Sequence, residues 1–256
     1  MSLSSVLTNH LPPSLVYFKK RAAQRARTAR RWFREEGFQG VLLHGVRYLL
    51  SLRNLKQRDL EFDKGLGVDT RGPIGLWHLR VPFDNVRHAA RYEGSDPNLL
   101  RELLRDLQQD FSTFSFVDLG CGKGRALLVA GEFGFAQLIG VEFAAQLAET
   151  AGRNCRRLGL PAKIVNQDAS QFQFPTGNLV VYLYNPFGPT VLSPVLDRLL
   201  ATQTAECFLI YVNPLHRRLI DDYPRMQQLA ANRGSAVWRL APRSTLADAA
   251  VPEAAL

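Results

Sequence analysis

The sequence has few cysteines and no long apolar run. Its three cysteines are Cys121, Cys155 and Cys207, none of them in the C-x-x-C spacing of a zinc site or redox motif. This scarcity excludes a disulfide framework and predicts a reducing compartment. We therefore expect a cytoplasmic protein without a metal centre, with organellar targeting or peripheral membrane contact as alternatives. No apolar run reaches the ~18 residues of a membrane span, so we expect no transmembrane segment.

Acidic residues are almost missing from the first part of the chain. Residues 1–58 hold twelve Lys or Arg and two Glu, and no acid precedes Glu35. The rest of the chain is close to neutral, so the net charge of +9 belongs to this segment. Eight cations interleaved with alanine predict a long basic helix: Lys19, Lys20, Arg21, Arg25, Arg27, Arg30, Arg31 and Arg34.

This basic helix has several interpretations. It could contact RNA or a ribosome, anionic lipid, or an import machinery as a transit peptide. It could also be a solvated helix that improves solubility, which the small number of interleaved aromatic residues slightly favours. We predict residues 1–58 to be a basic helical N-terminal extension, in which residues 19–34 would make any nucleic-acid or anionic-membrane contact.

A length of 256 residues suits one domain with an additional terminal segment. The chain is 46% hydrophobic, which supports a sizeable buried core. Glycines and a proline between Arg58 and Gly75 predict a loop. We expect the domain to span residues 59–241, and the Ala-rich residues 242–256 to form a disordered tail.

The most informative stretch is an apolar run that ends in Asp118 and continues into three alternating glycines. Gly120, Gly122 and Gly124 follow the run, and residues 125–130 have the pattern of a helix. Glycines allow positive φ and leave no side chain between the backbone and a ligand. The sequence therefore predicts a ligand-binding loop at the carboxyl end of a strand.

Further apolar runs also end in polar residues. The second run closes on Glu142, and the third closes on Asp168, which precedes Ala169. The fourth run, residues 178–184, is followed by Asn185-Pro186-Phe187-Gly188, and the fifth, residues 206–212, by Asn213-Pro214-Leu215-His216. Between the fourth and fifth runs, Ser193-Pro194 predicts the start of a helix. Residues 235–240 predict a sixth strand, and no seventh is visible in the sequence.

With D-x-G-x-G-K-G-R from Asp118 and N-P-F-G from Asn185, residues 88–241 resemble class I S-adenosylmethionine-dependent methyltransferases, notably uncharacterised bacterial members. The resemblance implies an α/β fold, with a Rossmann-like sheet, helices on both faces and a preceding helical extension. It also implies S-adenosyl-L-methionine as cofactor and a seven-stranded sheet.

The resemblance also assigns cofactor contacts. Gly120, Gly122 and Gly124 would pass under the methionine part, with Cys121 as a small filler rather than a nucleophile. Asp118 would anchor the loop and the amino group, Glu142 the ribose hydroxyls, and Asp168 the adenine amine, with the Ala169 N–H nearby. Asp118 could instead be a turn-capping acid, and Glu142 an exposed charge at a helix start.

Asn185, Pro186 and Phe187 are the main catalytic candidates. They resemble the N-P-P-Y/F motif of amino methyltransferases, without its second proline. An Asn carbonyl and a neighbouring backbone carbonyl can accept both hydrogens of an NH₂ group, and the ring can stabilise charge on nitrogen. Such an Asn would also lie against the cofactor. The alternative is a strand-ending turn, since Asn-Pro often opens turns.

Two further residues are weaker candidates. Tyr92 precedes the domain's first helix and would either cover the cofactor or be a core aromatic. His216 could remove a proton from the acceptor, or be a surface or packing residue.

The sequence therefore predicts an N-methyltransferase. A protein side chain ranks first as acceptor, lysine foremost, because some lysine methyltransferases pair a Y-x-P-type segment with this loop. Here Gly94 stands where their proline would be. The alternatives are an RNA base, which the basic extension favours, a small-molecule amine, and an inert cofactor-binding module that acts through the extension.

Overall fold

The computed structural model describes residues 94–241 apart from 204 and 233, residues 57–72, and several short stretches between residues 30 and 46. By its contacts the chain forms two compact units, Met1–Gly65 and Leu66–Leu256. Most of the basic segment, Tyr92 and the tail at 242–256 lie outside the described residues. The predicted boundary at residue 58 therefore stays a prediction.

The described residues of the first unit are helical. Residues 37–40, 42–43 and 45–46 are helical, and their exposed apolar side chains include Phe38 and Leu42. Residues 57–66 are also helical, so the predicted loop from Arg58 to Gly75 is wrong over this stretch. The helix ends at Gly67 with φ +66°, where glycine is a favoured terminator. The glycines here mark the end of a helix rather than a loop.

The second unit is a seven-stranded sheet with helices. The strands are β1 (Phe114–Leu119), β2 (Gln137–Glu142), β3 (Ala162–Asn166), β4 (Asn178–Tyr184), β5 (Cys207–Val212), β6 (Met226–Ala231) and β7 (Ser235–Leu240). The helices are α1 (Pro97–Asp106), α2 (Arg125–Ala130), α3 (Ala145–Arg157), α4 (Pro189–Thr202) and α5 (Arg217–Asp221).

The strand order is β3-β2-β1-β4-β5-β7-β6, with β1 to β5 parallel and β7 antiparallel to both of its neighbours. Every residue of β1 and β5 is buried, as expected for central strands covered on both faces. Val117 and Leu119 join one buried cluster with Leu192 and Leu196 of α4. Phe116, which points to the other face, stacks with Tyr182. The predicted α/β fold is confirmed.

Two elements differ from the sequence-based prediction. The strand that the sequence did not reveal is β6, in which only Met226 is buried and the pairing with β7 shifts register between Gln228 and Ala230. Because nearly all of its residues are exposed, β6 lacks the alternation of apolar and polar residues that would predict a strand. Helix α4 begins at Pro189, whereas the sequence suggested a start at Ser193. Each position offers a proline suited to a first helical turn, and the earlier one is used.

Local signals elsewhere are obeyed. The side chain of Asp96 accepts a hydrogen bond from the Asn98 N–H at 3.0 Å, and Pro97 takes the first position of α1. None of the described helices is both long and apolar enough to cross a membrane.

Candidate functional site

The predicted site residues at the ends of β1, β2 and β4 lie at one edge of the sheet. β1 pairs with β2 on one side and β4 on the other, so Asp118 is opposite Gly140 and Tyr182. Because these strands are parallel, Glu142 at the end of β2 and Asn185 after β4 flank the loop that follows β1.

The glycine loop is fastened to β2 through its own amides. The N–H groups of Gly120 and Cys121 donate to the Val141 carbonyl at 2.8 and 3.0 Å. The Gly122 N–H donates to Glu142 Oε2 at 2.9 Å. These amides are committed to the protein, unlike the open amides of a phosphate-binding loop. The loop therefore offers a fixed, side-chain-free surface.

Gly120 also brings the methyl-transfer candidates to this loop. Its φ is +78°, and a Cβ placed on it would lie 2.5 Å from Pro186 Cβ. Only glycine permits both the conformation and the close approach. The predicted cofactor loop and the Asn185-Pro186-Phe187 segment therefore touch each other.

Glu142 is a buried part of this loop. It is 5% exposed, and besides the Gly122 bond its Oε1 accepts from the Ala144 N–H at 2.9 Å. Burial raises the pKa of Glu142, and these backbone N–H groups oppose the shift. The alternative of an exposed helix-entry charge is wrong. Each carboxylate oxygen retains a further lone pair, which can accept from a hydroxyl.

Asp118 is buried, with 3% of its surface exposed, and it accepts no hydrogen bond from the part of the chain that the structure describes. The alternative of a turn-capping acid, which requires such bonds, is therefore not what the structure shows. Burial raises the pKa of Asp118 well above its ordinary value, and the neighbouring Glu142 adds to the shift. A bound cation would stabilise the ionised form of such a buried carboxyl group.

Cys121 fills space inside the loop. It is 5% exposed, and a Cβ on Gly140 would lie 2.8 Å from its Sγ. Burial, then the negative charges of Asp118 and Glu142, raise the pKa of the Cys121 thiol well above its ordinary value. A thiol held protonated is a poor nucleophile, in agreement with the filler interpretation.

The residues after β3 form a turn. Asp168 Oδ1 accepts from the N–H and hydroxyl of Ser170 at 2.8 and 2.7 Å, capping the turn in which Ala169 is buried. Asn166, which the sequence analysis did not single out, donates its Nδ2 to the carbonyls of Glu142 and Phe143 at 2.8 and 3.0 Å. Asn166 thus fixes the end of β2, and its position as a polar strand end was the available signal.

Asn185 has an unusual conformation and a defined partner. Its φ is +41°, and Asn213 after β5 has φ +52°. Non-glycine residues are uncommon in this region, and asparagine is among the few that adopt it readily. The hydroxyl of Tyr211 donates to Asn185 Oδ1 at 3.0 Å, a contact that the sequence did not reveal.

The other catalytic candidates are placed as follows. Phe187 is partly buried and packs against the core cluster below α4. His216 precedes α5, close in sequence to Asn213 at the carboxyl end of β5, which neighbours β4. Tyr92 lies outside the described residues.

Two basic residues of the loop hold a preceding segment. Lys123 Nζ donates to Asp69 Oδ1 at 2.8 Å and to the Arg71 carbonyl at 2.9 Å. Asn154 of α3 joins the same contact, with its Nδ2 donating to the carbonyls of Asp69 and Lys123 at 2.8 and 2.9 Å. Lys123 therefore faces the protein and is already engaged there.

Arg125 is held even more fully, with 2% exposure. Its Nε donates to Thr70 Oγ1 at 2.8 Å, its Nη2 to the Thr70 carbonyl at 3.0 Å, and its Nη1 to the Ser95 carbonyl at 3.3 Å. A Cβ on Gly94 would lie 2.5 Å from Nη1, so this arginine occupies the space that a larger residue would need. In the sequence, the indication of this role was the pair Lys123 and Arg125 in a loop of otherwise small residues.

The methyltransferase domain family matches residues 116–201, which include the glycine loop, Glu142 and Asn185. A comparison with curated proteins gives no match.

Among solved structures, a protein from Pyrococcus horikoshii proposed to be an RNA methyltransferase is 17% identical, with 72% of this chain and 99% of that one covered and a TM-score of 0.49. A dimethyladenosine transferase from Plasmodium falciparum is 16% identical, with 59% and 63% covered and a TM-score of 0.46. A Thermus thermophilus 16S rRNA methyltransferase in complex with AdoMet and guanosine is 18% identical, with 57% and 43% covered and a TM-score of 0.46.

With identities of 18% or less and TM-scores below 0.5, these neighbours do not identify the acceptor of this protein. The match to a methyltransferase domain supports methyl transfer with S-adenosylmethionine as the donor. The chain carries a methyltransferase domain and is an S-adenosylmethionine-dependent methyltransferase.

Proposed function

We propose that this protein transfers the methyl group to a nitrogen atom of a protein side chain, with lysine as the first candidate. The observation that carries the proposal is the position of Asn185. It follows β4 beside the glycine loop, has a left-handed backbone, and has its side-chain amide held by Tyr211.

The residues at the ends of β1 and β2 suit the cofactor. S-adenosylmethionine carries a positive ammonium and a sulfonium whose methyl group is the electrophile. Asp118 is a buried carboxyl without a hydrogen bond from the described chain, and a cation would stabilise its ionised form. Glu142 would accept from the ribose hydroxyls with its remaining lone pairs, and Gly120, Gly122 and Gly124 would provide the flat surface.

Asp168, Ala169 and Cys121 complete the proposed cofactor contacts. Asp168 uses Oδ1 for the Ser170 turn, which leaves Oδ2 to accept from an amine such as that of adenine. Ala169 and Cys121 are buried and small, so they would line the cofactor site without projecting into it.

Asn185 would position the nucleophile. Its Oδ1 keeps one lone pair beyond the Tyr211 bond, and a backbone carbonyl of the Asn185-Pro186 segment can accept a second N–H. Two such acceptors direct the nitrogen lone pair in line with the bond to be broken. Phe187 can stabilise the positive charge that develops on nitrogen.

A lysine acceptor must lose a proton before it can attack. His216 lies after β5, the strand next to β4, and histidine exchanges protons readily near neutral pH. We propose that His216 accepts this proton and that Tyr92 covers the cofactor. Partial exposure of Asn185, Pro186 and Phe187 supports an accessible rim rather than an inert module.

The glycine that departs from the pattern of similar lysine methyltransferases has a packing reason. The glycine at position 94, where similar lysine methyltransferases have proline, accommodates the Arg125 guanidinium. The departure is therefore explained by packing and leaves the role of the segment open to the lysine interpretation. An RNA base is the second candidate, favoured by the twelve cations and two acids of residues 1–58.

The test is transfer of labelled methyl from S-adenosylmethionine into fractionated cell lysate, followed by protease or nuclease treatment. We expect wild-type protein to label a fraction that protease removes, and acid hydrolysis to release methylated lysine. Label removed by nuclease instead would establish the RNA alternative. A protein that binds the cofactor and labels no fraction would support the inert module.

A further inference from the structure

The contact between Tyr211 and Asn185 joins the core to the reaction rim. Tyr211 lies on β5 and is 1% exposed, and its ring belongs to the buried cluster beneath α4. Only its hydroxyl reaches the carboxyl edge, where it donates to Asn185 Oδ1 at 3.0 Å. A buried core residue thus holds a rim side chain that is proposed to touch the acceptor.

The direction of this hydrogen bond is well defined. Burial raises the pKa of Tyr211 to about 12, with a smaller lowering by the backbone of His216. The phenol therefore remains protonated at every working pH and acts as a donor. As a donor, the hydroxyl pairs with Oδ1 of the Asn185 amide rather than with its nitrogen.

We propose that Tyr211 is a positioning residue for methyl transfer, whose hydroxyl fixes the plane of the Asn185 amide. This inference rests on the proposed role of Asn185. With the amide fixed, one Oδ1 lone pair is left for the acceptor, which can fill it with an N–H donor. Displacement of a reacting group by about 1 Å can cost about 100-fold in rate, so a freely rotating amide would be a poor substitute.

The backbone conformation at Asn185 also bears on this hydrogen bond. Asn185 has φ +41°, in the left-handed region that asparagine adopts more readily than other non-glycine residues. Asn213 at the end of the neighbouring strand β5 has φ +52°, two residues after Tyr211. A side-chain bond between the two strand ends holds Asn185 in the orientation that this backbone provides.

The first experiment is a double-mutant cycle of Tyr211→Phe and Asn185→Ala, measured as labelled methyl transfer into the lysate fraction that wild-type protein labels. We expect Tyr211→Phe to lower kcat tenfold or more while the cofactor Kd stays within twofold. In the Asn185→Ala background, Tyr211→Phe should have no further effect on kcat, because its action runs through that amide. Multiplicative losses in the double variant would overturn the inference.

The matched control is Tyr223→Phe. The Tyr223 hydroxyl donates to Asp197 Oδ1 and the Ser193 carbonyl rather than to Asn185. Tyr223→Phe therefore removes the same chemical group without touching the Asn185 contact. We expect it to leave kcat unchanged. If Tyr211 had only a structural role, Tyr211→Phe would lower thermal stability, and its effect on kcat would not depend on Asn185.

A second readout needs no acceptor. In protein labelled with ¹⁵N-asparagine, the side-chain NH₂ resonances of Asn185, assigned by their loss in Asn185→Ala, should shift in Tyr211→Phe and not in Tyr223→Phe. Unchanged resonances would overturn the inference. Wild-type protein that transfers no label would contradict the proposed function alone, and the resonances would still decide the contact.

Discussion

At the scale of single residues, Asp118 makes the stability of the protein depend on pH. Its pKa is raised in the fold by burial and by Glu142, so the folded state holds the proton more tightly than the unfolded one. The stabilisation is complete below the ordinary carboxyl pKa of about 4 and is lost as pH rises through the raised value. We expect Asp118→Asn to flatten this fall in the free energy of unfolding, measured by urea denaturation across pH.

Cofactor affinity should change in the opposite direction. Binding of a cation requires the ionised carboxylate, so affinity should rise as pH passes through the raised pKa of Asp118, and calorimetry on Asp118→Asn should show a weaker and flatter profile. Asp110, which is exposed and bonded to Ser112, is the control. An Asp118→Asn variant with wild-type affinity at every pH would contradict the role given to this carboxyl.

Gly120 gives a second prediction at this scale. Gly120→Ala places a Cβ 2.5 Å from Pro186 Cβ at φ +78°, whereas Gly134→Ala has φ +72° and nothing within 4 Å. Both variants bear the conformational cost of about 1–2 kcal/mol, and only Gly120→Ala adds a collision. We expect Gly120→Ala to be the less stable in thermal unfolding and to lose cofactor affinity. Equal stability of the two variants would show that the approach of Pro186 does not matter.

The residue scale also shows what the sequence can and cannot predict. Acids at strand ends and alternating glycines identified Asp118, Glu142 and the loop, because such spacing has few structural purposes. The bond from Tyr211 to Asn185 joins residues 26 apart on neighbouring strands, and no local pattern signals it. The roles proposed for these residues remain predictions.

At the scale of elements, the loop between β1 and α2 is held by Lys123 and Arg125. The Arg125 guanidinium donates to Thr70 and Ser95 while 2% exposed. Arg125→Met would leave buried carbonyls without these donors, at a cost of about 2–4 kcal/mol. Arg101→Met, which removes a part-exposed pair with Glu132, should cost about 1 kcal/mol or less.

The measurement for this pair is urea unfolding of both variants and of Arg125→Lys. Lysine cannot reproduce three donors in a planar fork, so we expect Arg125→Lys to recover less than half of the loss. Full recovery by lysine would mean that charge alone, rather than the fork, holds residues 70 and 95.

Sequence patterns predicted elements well where apolar periodicity is strong. The bounds of β2, β4 and β7 follow directly from their apolar runs. β6 was missed because five of its six residues are exposed, and the helix at 57–66 was missed because its terminal glycines were taken as marks of a loop. In each case tertiary context, which the local pattern does not contain, decides the structure.

At the scale of the whole molecule, charge is concentrated before the domain. If residues 1–34 contact nucleic acid or anionic lipid, their deletion should abolish salt-sensitive binding to that partner and leave the cofactor Kd unchanged. The stretch from Lys19 to Arg34 contains eight cations and no acid, and the rest of the chain is near neutral. Binding to RNA and to phosphatidylserine vesicles, measured against salt, would decide between the partners.

A matched variant in which those eight cations become glutamine separates charge from length. It should behave like the deletion. Truncated protein that binds RNA and vesicles as well as the full chain would assign the charge to solubility instead.

At the end of β4, Asn185 is proposed to orient the nitrogen atom of the acceptor. Asn185→Ala tests it most directly, with Asn178→Ala as control, because Asn178 begins the same strand and bonds Thr113 at the opposite edge of the sheet. The measurement is the single-turnover rate of labelled methyl transfer to the identified acceptor, together with the cofactor Kd. We expect Asn185→Ala to lower the rate about 100-fold with Kd within twofold, and Asn178→Ala to change neither. A near wild-type rate for Asn185→Ala would show that Asn185-Pro186-Phe187 is only a turn.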